Sequence, residues 1–511
     1  MAFCTILSAA LRGLAAEPVQ VEADMSNGLP VFLMVGYLSS EVKEAAARVR
    51  TAVKNSGIQL PPRRIVVNLA PATLRKRGAS FDLPIALAVM GAMGLYDPAK
   101  LDGTLVIGEL SLDGSVREVP GILPIMLAAK EYGCHTCILP KGNGAEGTLA
   151  KGIRILGVES LEEAGRYLRG ETKIRPAEQG KTVPSKCLQE AGLDYRDVQG
   201  QEHVKRAAEV AVAGGHNLLM IGPPGSGKSM IAKRLPTILP PPSLEESMEI
   251  TKIYSVLGMV DEERPLVTGR PFRSVHHTIT RSALAGGGNI PMPGEISLAH
   301  GGVLFLDELA EFSRNVLEAL RQPLEEGQVR ITRSHGNYLF PADFILAAAM
   351  NPCPCGNYPN IEKCTCTPSQ VQQYLGRISQ PLLDRIDICA ETAKVPYQTL
   401  RGKGERESSE AIRKRVMAAR KIQEERYKSG PTRTNAGQTL GELKRFCALG
   451  PKEEVLMQQV FDRMGLTART CHKILKVART IADLEGEEKI RESHLLEAIG
   501  YRTMDKKYWG R

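Results

Sequence analysis

His216-Asn217-Leu218-Leu219-Met220-Ile221-Gly222-Pro223-Pro224-Gly225-Ser226-Gly227-Lys228-Ser229-Met230 is the stretch on which the reading of the whole chain turns. An apolar run short enough for a buried strand leads into Gly222, a glycine-rich turn follows, and Lys228-Ser229 opens a helix. The pattern G-x-x-x-x-G-K-[ST] therefore stands in the strand-turn-helix context it requires. Through Gly222, Pro223, Pro224, Gly225, Ser226 and Gly227 the backbone can curl until successive N–H groups point at phosphate oxygens, and the helix N-terminus adds partial positive charge. Lys228 suits the β and γ phosphates of ATP, and the Ser229 hydroxyl suits Mg²⁺. The competing reading, a strained turn without a ligand, leaves the flanking strand and helix unexplained.

Further along, Gly301-Gly302-Val303-Leu304-Phe305-Leu306-Asp307-Glu308 reads as a buried strand ending in two acids. Asp307 is placed to hold Mg²⁺ through water, and Glu308 to orient and activate an attacking water. A third strand, Phe344 to Met350, ends at Asn351-Pro352. In a parallel sheet that tip falls between the phosphate loop and the acids, so Asn351 can help position the hydrolytic water, the role called sensor 1.

The chain has 511 residues, too many for one ordinary core, and domain sizes suggest about three domains. With 43% hydrophobic and 24% charged residues it is ordinary soluble globular material. The net charge of +9 is compatible with a polyanionic partner without requiring one. Met1 to Glu17 carries an apolar run, but no basic residue precedes it and Arg12 interrupts it, so a first strand is expected rather than a secretory signal. No stretch approaches the apolar length that crosses a bilayer. Eleven cysteines without a signal peptide point to a reducing compartment, and a cytoplasmic location without membrane contact is expected.

Residues 1 to 170 alternate strand-like segments (Val31 to Val35, Arg64 to Leu69, Gly103 to Glu109, Thr136 to Leu139) with helical ones (Ser40 to Ser56, Phe81 to Gly94, Gly121 to Tyr132). An α+β or α/β domain follows from that alternation. Here Lys76-Arg77-Gly78-Ala79-Ser80-Phe81-Asp82-Leu83-Pro84, then Gly108 to Gly114 and Val119-Pro120-Gly121-Ile122, resembles the proteolytic domain of the Lon family. The resemblance implies a serine nucleophile at Ser80 and a lysine four residues after Gly121, but Ile125 stands there, and Lys130 does not match the spacing. A serine without an adjacent base is a poor nucleophile, so Ser80 is read as the N-cap of the helix that follows. Cys134 and Cys137, an isolated C-x-x-C pair, are read as buried thiols. Residues 171–189 read as a linker.

Residues 190–395 then hold the phosphate loop, the acids and Asn351, in an order similar to the AAA+ superfamily. More narrowly, Arg270 to Thr278, Gly286-Gly287-Gly288 and Pro293 to Glu308 resemble the magnesium-chelatase ATPase subunit and its bacterial YifB/ComM relatives. The Lon-like region and the cysteine group described next point to the YifB/ComM branch, and the likeness covers nearly the whole chain. It implies that Arg385, in Gln380 to Asp387, is an arginine finger acting on a neighbouring subunit's nucleotide. Arg377 is the alternative finger, and a surface salt bridge is the other reading of either residue. It also implies that Arg469 is the sensor 2 arginine, closing a lid on bound nucleotide. Gln328 to Phe340 has the pattern of a hairpin, which in relatives points into the ring's channel. Arg333 and His335 at its tip suit a DNA phosphate backbone, or else merely face solvent. The adjacent His276 and His277 are read as phosphate-side or insert contacts rather than metal ligands.

Cys353-Pro354-Cys355-Gly356 and Cys364-Thr365-Cys366 give C-x-C-x₈-C-x-C. Four thiolates form a closed zinc site, although each pair is more tightly spaced than is usual, and free thiols are the alternative. Such a site over 353–366 would brace the loop after Asn351. Residues 396–511 are helical. Their first helix carries Arg413, Lys414, Arg415, Arg420 and Lys421, a charge run more often a solvated face than a DNA surface. The expected architecture is α/β and multidomain: a Lon-like α+β N-terminal domain, an AAA+ parallel-sheet core and a C-terminal helical lid, working as a hexamer with ATP and Mg²⁺. The resemblance to ComM implies a branch-migration helicase acting on DNA in recombination during natural transformation. The rivals are a chelatase-type ATPase remodelling a protein, a Lon-like protease, which Ile125 argues against, and a non-motor DNA-binding scaffold.

Overall fold

The computed structural model describes residues 3–178, 192–333, 336–396 and 406–510. Ser334, His335 and residues 179–189 of the expected linker lie outside them. The chain divides into two compact units: Met1–Pro184 with Leu244–Val267, and Ser185–Ser243 with Thr268–Arg511.

The first unit is built on a seven-stranded mixed sheet. Its centre is a hairpin of Phe3–Arg12 against Ala15–Ser26, turned at Gly13 with φ 65. The single strand expected at the N-terminus is thus two. Pro18, the residue that hides the second strand, lies beyond the pairing with Arg64–Ala70, which starts at Gln20, so its missing N–H interrupts no ladder there. Helix Asp82–Ala92 is buried along its whole length. Its one charge, Asp82, is held bidentately by Arg48 at 2.7 and 2.9 Å. Burial pushes the Asp82 carboxyl up, and Arg48 opposes that shift.

Ser80 is not this helix's cap. The cap position is Phe81, without a side-chain capping bond. The turn begins earlier, where Asp82 N–H donates to Ala79 at 3.0 Å, and Ser80 instead accepts from Gly108 N–H at 2.9 Å through its carbonyl. Ile125 is 1% exposed, packed with Ile122, Met126 and Ala129.

Residues 244–267, within the stretch expected for the ATPase core, fold with the first unit. Ile250, Ile253 and Val256 give helix Leu244–Val256 an apolar stripe at helical spacing. Ser255 locks it to helix Ile122–Glu131: its carbonyl accepts from Gly121 N–H at 2.8 Å, and its hydroxyl donates to buried Glu146 at 2.5 Å.

The second unit is a five-stranded parallel sheet in the order Phe272–Val275, Val303–Leu306, Ile345–Met350, Leu218–Ile221, Ile388–Glu391. The three central strands are buried throughout, as parallel strands covered on both faces must be. C-terminal helices pack beside it, led by Ala468–Leu484 with Ile474, Val477, Ala478 and Ile481 inward. Much of the basic run on Ser409–Tyr427 is spent internally: Arg415 bonds Glu209 at 2.5 Å, and Arg420 donates to the Val212 carbonyl at 2.8 Å. Among the described residues no helix is long and apolar enough to cross a membrane.

Candidate functional site

Parallel strand order decides what meets at the sheet's C-terminal edge. Ile221 aligns with Met350 and Leu306 with Ala348, so the phosphate loop, Asn351 and the acids Asp307 and Glu308 emerge side by side. They line one cavity of about 390 Å³ with Pro224 to Met230. The turn relies on left-handed glycines, Gly225 at φ 74 and Gly227 at φ 90. At Gly222 the need is space, because a Cβ would stand 2.1 Å from Thr392 Oγ1.

Lys228 Nζ donates to the carbonyls of Gly222 at 2.7 Å and Pro223 at 3.0 Å, and to Asn351 Oδ1 at 3.2 Å. Burial lowers its pKa and the charge of Asp307 opposes that. Ser229 Oγ donates to Asp307 Oδ2 at 2.6 Å, so the two expected Mg²⁺ ligands are already adjacent. Glu308 follows with φ 54, a left-handed conformation that a non-glycine residue holds only when its surroundings impose it. His277 Nδ1 stands 3.4 Å from Glu308 Oε2, and the His276 ring packs on His277 at 4.1 Å.

Two loop supports escaped the sequence reading. Gln201, itself at φ 62, donates to the Ser226 carbonyl at 3.0 Å and also bonds the Ala393 carbonyl. Thr392 shares a 2.7 Å bond with Ser226 Oγ. An uncommon backbone angle at a glutamine cannot be seen in sequence, and Thr392 is distant along the chain.

Arg385 and Arg469 line a different cavity, of about 730 Å³, whose lining includes no residue of the phosphate loop. Arg385 is nearly buried, donating to the carbonyls of Arg321 at 3.1 Å and Pro381 at 2.6 Å and pairing with Glu325. Arg469 reaches the same Glu325 at 3.5 Å. Arg377 bonds Glu311 at 2.6 Å and the Ala310 carbonyl at 3.0 Å, just past the acid pair. Asn217 ties the two regions together: its side chain donates to the Arg385 carbonyl at 2.9 Å and accepts from Leu346 N–H at 2.9 Å.

The sulfurs of Cys353, Cys355, Cys364 and Cys366 all lie within 4.8 Å of one another. Cys353 to Cys364 is 3.8 Å and Cys355 to Cys364 is 3.6 Å, close to the roughly 3.8 Å edge of a tetrahedron with Zn–S bonds of about 2.3 Å. Gly356 in this loop packs on Pro224 of the phosphate loop so closely that a Cβ would meet Pro224 Cδ at 2.4 Å. The C-terminal helix Thr503–Trp509 closes over the region: Tyr508 bonds Glu391 at 2.7 Å and its ring meets Tyr358 at 6.2 Å. Cys134 and Cys137 are buried thiols.

The hairpin is present as Gln328–Arg333 paired with Gly336–Pro341. Arg333 donates to the Gly288 carbonyl at 3.3 Å, whereas His335 lies outside the described residues.

A parallel sheet carrying a phosphate loop beside an acid-tipped strand defines a P-loop nucleotide-binding core. The sequence comparisons refine that class. Residues 194–400 match the family described as magnesium chelatase, subunit ChlI; residues 21–143 match subunit ChlI of Mg-chelatase; and residues 406–502 match its C-terminal part. Competence protein ComM of Haemophilus influenzae is 42% identical over 99% of this chain and 98% of its own. Protein YifB of Salmonella typhimurium is 42% identical over the same shares. The magnesium-chelatase 67 kDa subunit of Chlorobaculum parvum is 30% identical over 25% of this chain and 18% of its own. The chain belongs to the YifB/ComM family of magnesium-chelatase-like AAA+ proteins.

Proposed function

We propose that this protein is a ring-forming ATPase, a hexamer in the cytoplasm, that couples ATP hydrolysis to movement on DNA as a branch-migration helicase. The observation that carries the ring is the separation of Arg385 and Arg469 from the cavity of Lys228, Asp307, Glu308 and Asn351. In a head-to-tail ring the arginines of one subunit enter the site of the next. Glu308 takes a proton from water as its oxygen bonds the γ-phosphorus. The bond from that phosphorus to the bridging oxygen breaks, ADP leaves, and Lys228 with the incoming arginines stabilises the charge spread over the phosphoryl oxygens. Mg²⁺, held by Ser229 and through water by Asp307, would supply further neutralisation of the phosphates.

The residues at the cysteine cluster fit zinc. Cys353, Cys355, Cys364 and Cys366 would hold it as a structural cross-link that stiffens the loop against Pro224. The first unit is read as a Lon-like domain without peptidase activity, since a buried Ile125 occupies the position of the base. DNA as substrate is supported by the basic hairpin and by the kinship with a competence protein. The second reading, a chelatase-type ATPase remodelling a protein, is favoured by the chelatase families matched along the chain. ATPase rates with and without branched or single-stranded DNA, alongside Lys228→Ala and Glu308→Gln, separate them: stimulation by DNA supports the motor, and stimulation only by a protein partner refutes it.

A further inference from the structure

Residues 244–267 interrupt the second unit between the two halves of its nucleotide site. The helix that opens with Lys228 and Ser229 ends at Ile238, and the strand that leads to His276 and His277 begins at Phe272. The chain between them leaves the second unit after Ser243 and rejoins it at Thr268. Its way out, Pro240-Pro241-Pro242, is a stiff spacer and not slack chain. Within the first unit the excursion is fastened by the bonds of Ser255 to Gly121 and Glu146, and Val267 N–H closes it by donating to Thr251 Oγ1 at 3.0 Å.

Arg270 ties the two ends of the excursion together inside the second unit. Its Nε donates to the Pro240 carbonyl at 2.9 Å and its Nη1 to the Gly301 carbonyl at 2.9 Å. The first contact falls just past the helix of Lys228 and Ser229, and the second just before the strand that ends in Asp307 and Glu308. Beside it the Pro271 carbonyl accepts from Val303 N–H at 2.8 Å, and a Cβ at Gly302 would stand 2.0 Å from that same oxygen. From there the two strands run in register, Phe272 opposite Val303 and Val275 opposite Leu306, until His277 meets Glu308. A displacement at the start of this hydrogen-bonded pair is carried along it to Glu308. A planar guanidinium can hold two carbonyls on different elements at a fixed spacing, which the point charge of a lysine cannot.

We infer that Arg270 is a positioning residue for hydrolysis: it sets the spacing of the Lys228 and Asp307–Glu308 halves of the site and makes that spacing depend on how helix Leu244–Val256 is docked in the first unit. The inference rests on the ATPase reading and adds to it a route by which the first unit controls turnover.

The test is steady-state ATPase kinetics of the full chain, with nucleotide affinity read by a fluorescent non-hydrolysable analogue. Arg270→Ala should lower kcat about tenfold or more with a smaller loss of affinity, because the phosphate-binding groups remain and only their placement against the acids changes. Arg270→Lys should resemble Arg270→Ala and not wild type. Ser255→Ala, which removes only the hydroxyl bond to Glu146, should lower kcat about threefold in the wild-type background and have no effect in the Arg270→Ala background. Circular dichroism melting checks folding, and Arg270→Lys carries the same cycle if Arg270→Ala does not fold. Effects of the two substitutions that simply multiply overturn the inference alone, as does a Ser255→Ala variant or an Arg270→Lys variant with the wild-type kcat. Wild-type protein that hydrolyses no ATP overturns the ATPase reading and the inference with it.

Discussion

His277 Nδ1 lies 3.4 Å from Glu308 Oε2, and Glu308 is held at φ 54 directly after the strand that delivers Asp307. The imidazole and the strained backbone together fix where the carboxylate points. Glu308→Gln should lower ATP turnover about a hundredfold or more while nucleotide still binds, because only the proton acceptor is lost. His277→Ala should lower kcat about tenfold with KM nearly unchanged, as expected of a positioning residue. Steady-state kinetics reads both, and a His277→Ala effect confined to KM would contradict the role.

Arg385 and Arg469 share Glu325, so either arginine alone is partly supported by the other's partner. Arg385→Ala should reduce turnover about a thousandfold, in the range of a lost arginine finger, with little change in nucleotide affinity measured by fluorescent-analogue binding. Affinity lost in parallel with turnover would place Arg385 in ground-state binding instead.

Metal analysis of protein purified without chelators should give about one zinc per chain, the closed four-thiolate stoichiometry. Cys353→Ser should abolish it. Because Gly356 touches Pro224 and has φ 78, Gly356→Ala should weaken nucleotide binding although residue 356 lies outside the nucleotide cavity. Unchanged affinity in that variant would show that the cysteine loop does not support the phosphate loop.

Burial pushes His216 below its ordinary value, against the pull of Asp387 at 3.7 Å, with Lys476 and Lys473 adding to the downward shift. A depressed folded value means that the unfolded chain takes up the proton first. The stability from this site is therefore complete above about pH 6.5 and is lost as pH falls below that, by up to about 1.4 kcal/mol per pH unit. Thermal melting from about pH 7.5 to about pH 5.5 should show a steeper decline for wild type than for His216→Gln. Parallel declines would refute the assignment.

The edge that lines the nucleotide-site cavity was readable because each part is local. Gly222 to Ser229, the strand into Asp307 and the strand into Asn351 each combine a short apolar run with a polar tip, and parallel pairing then fixes their order. What was not readable depends on distant pairing. Thr392 reaches Ser226 across 166 residues, and Gln201 reaches Ala393 across 192. Helix Leu244–Val256 shows an apolar stripe in sequence, but nothing local says that its partner is helix Ile122–Glu131. Ser80 misled because serine before an apolar helix is so often a cap, whereas here the Ala79 turn moves the helix start to Asp82. The family resemblance alone assigns Arg469 its nucleotide-closing role, and the company it keeps with Arg385 at Glu325 is a further long-range pairing that no local pattern shows.

The most direct test of a site completed by a neighbour is subunit mixing. Lys228→Ala keeps both arginines but lacks a working phosphate loop, and the Arg385→Ala, Arg469→Ala double variant is the reverse. Each alone should be nearly inactive. Mixed in equal amounts and allowed to exchange, they should regain about a quarter of wild-type ATPase activity, the share of head-to-tail interfaces that pair an intact loop with intact arginines. A mixture whose rate stays at the average of the two separate variants would contradict the account.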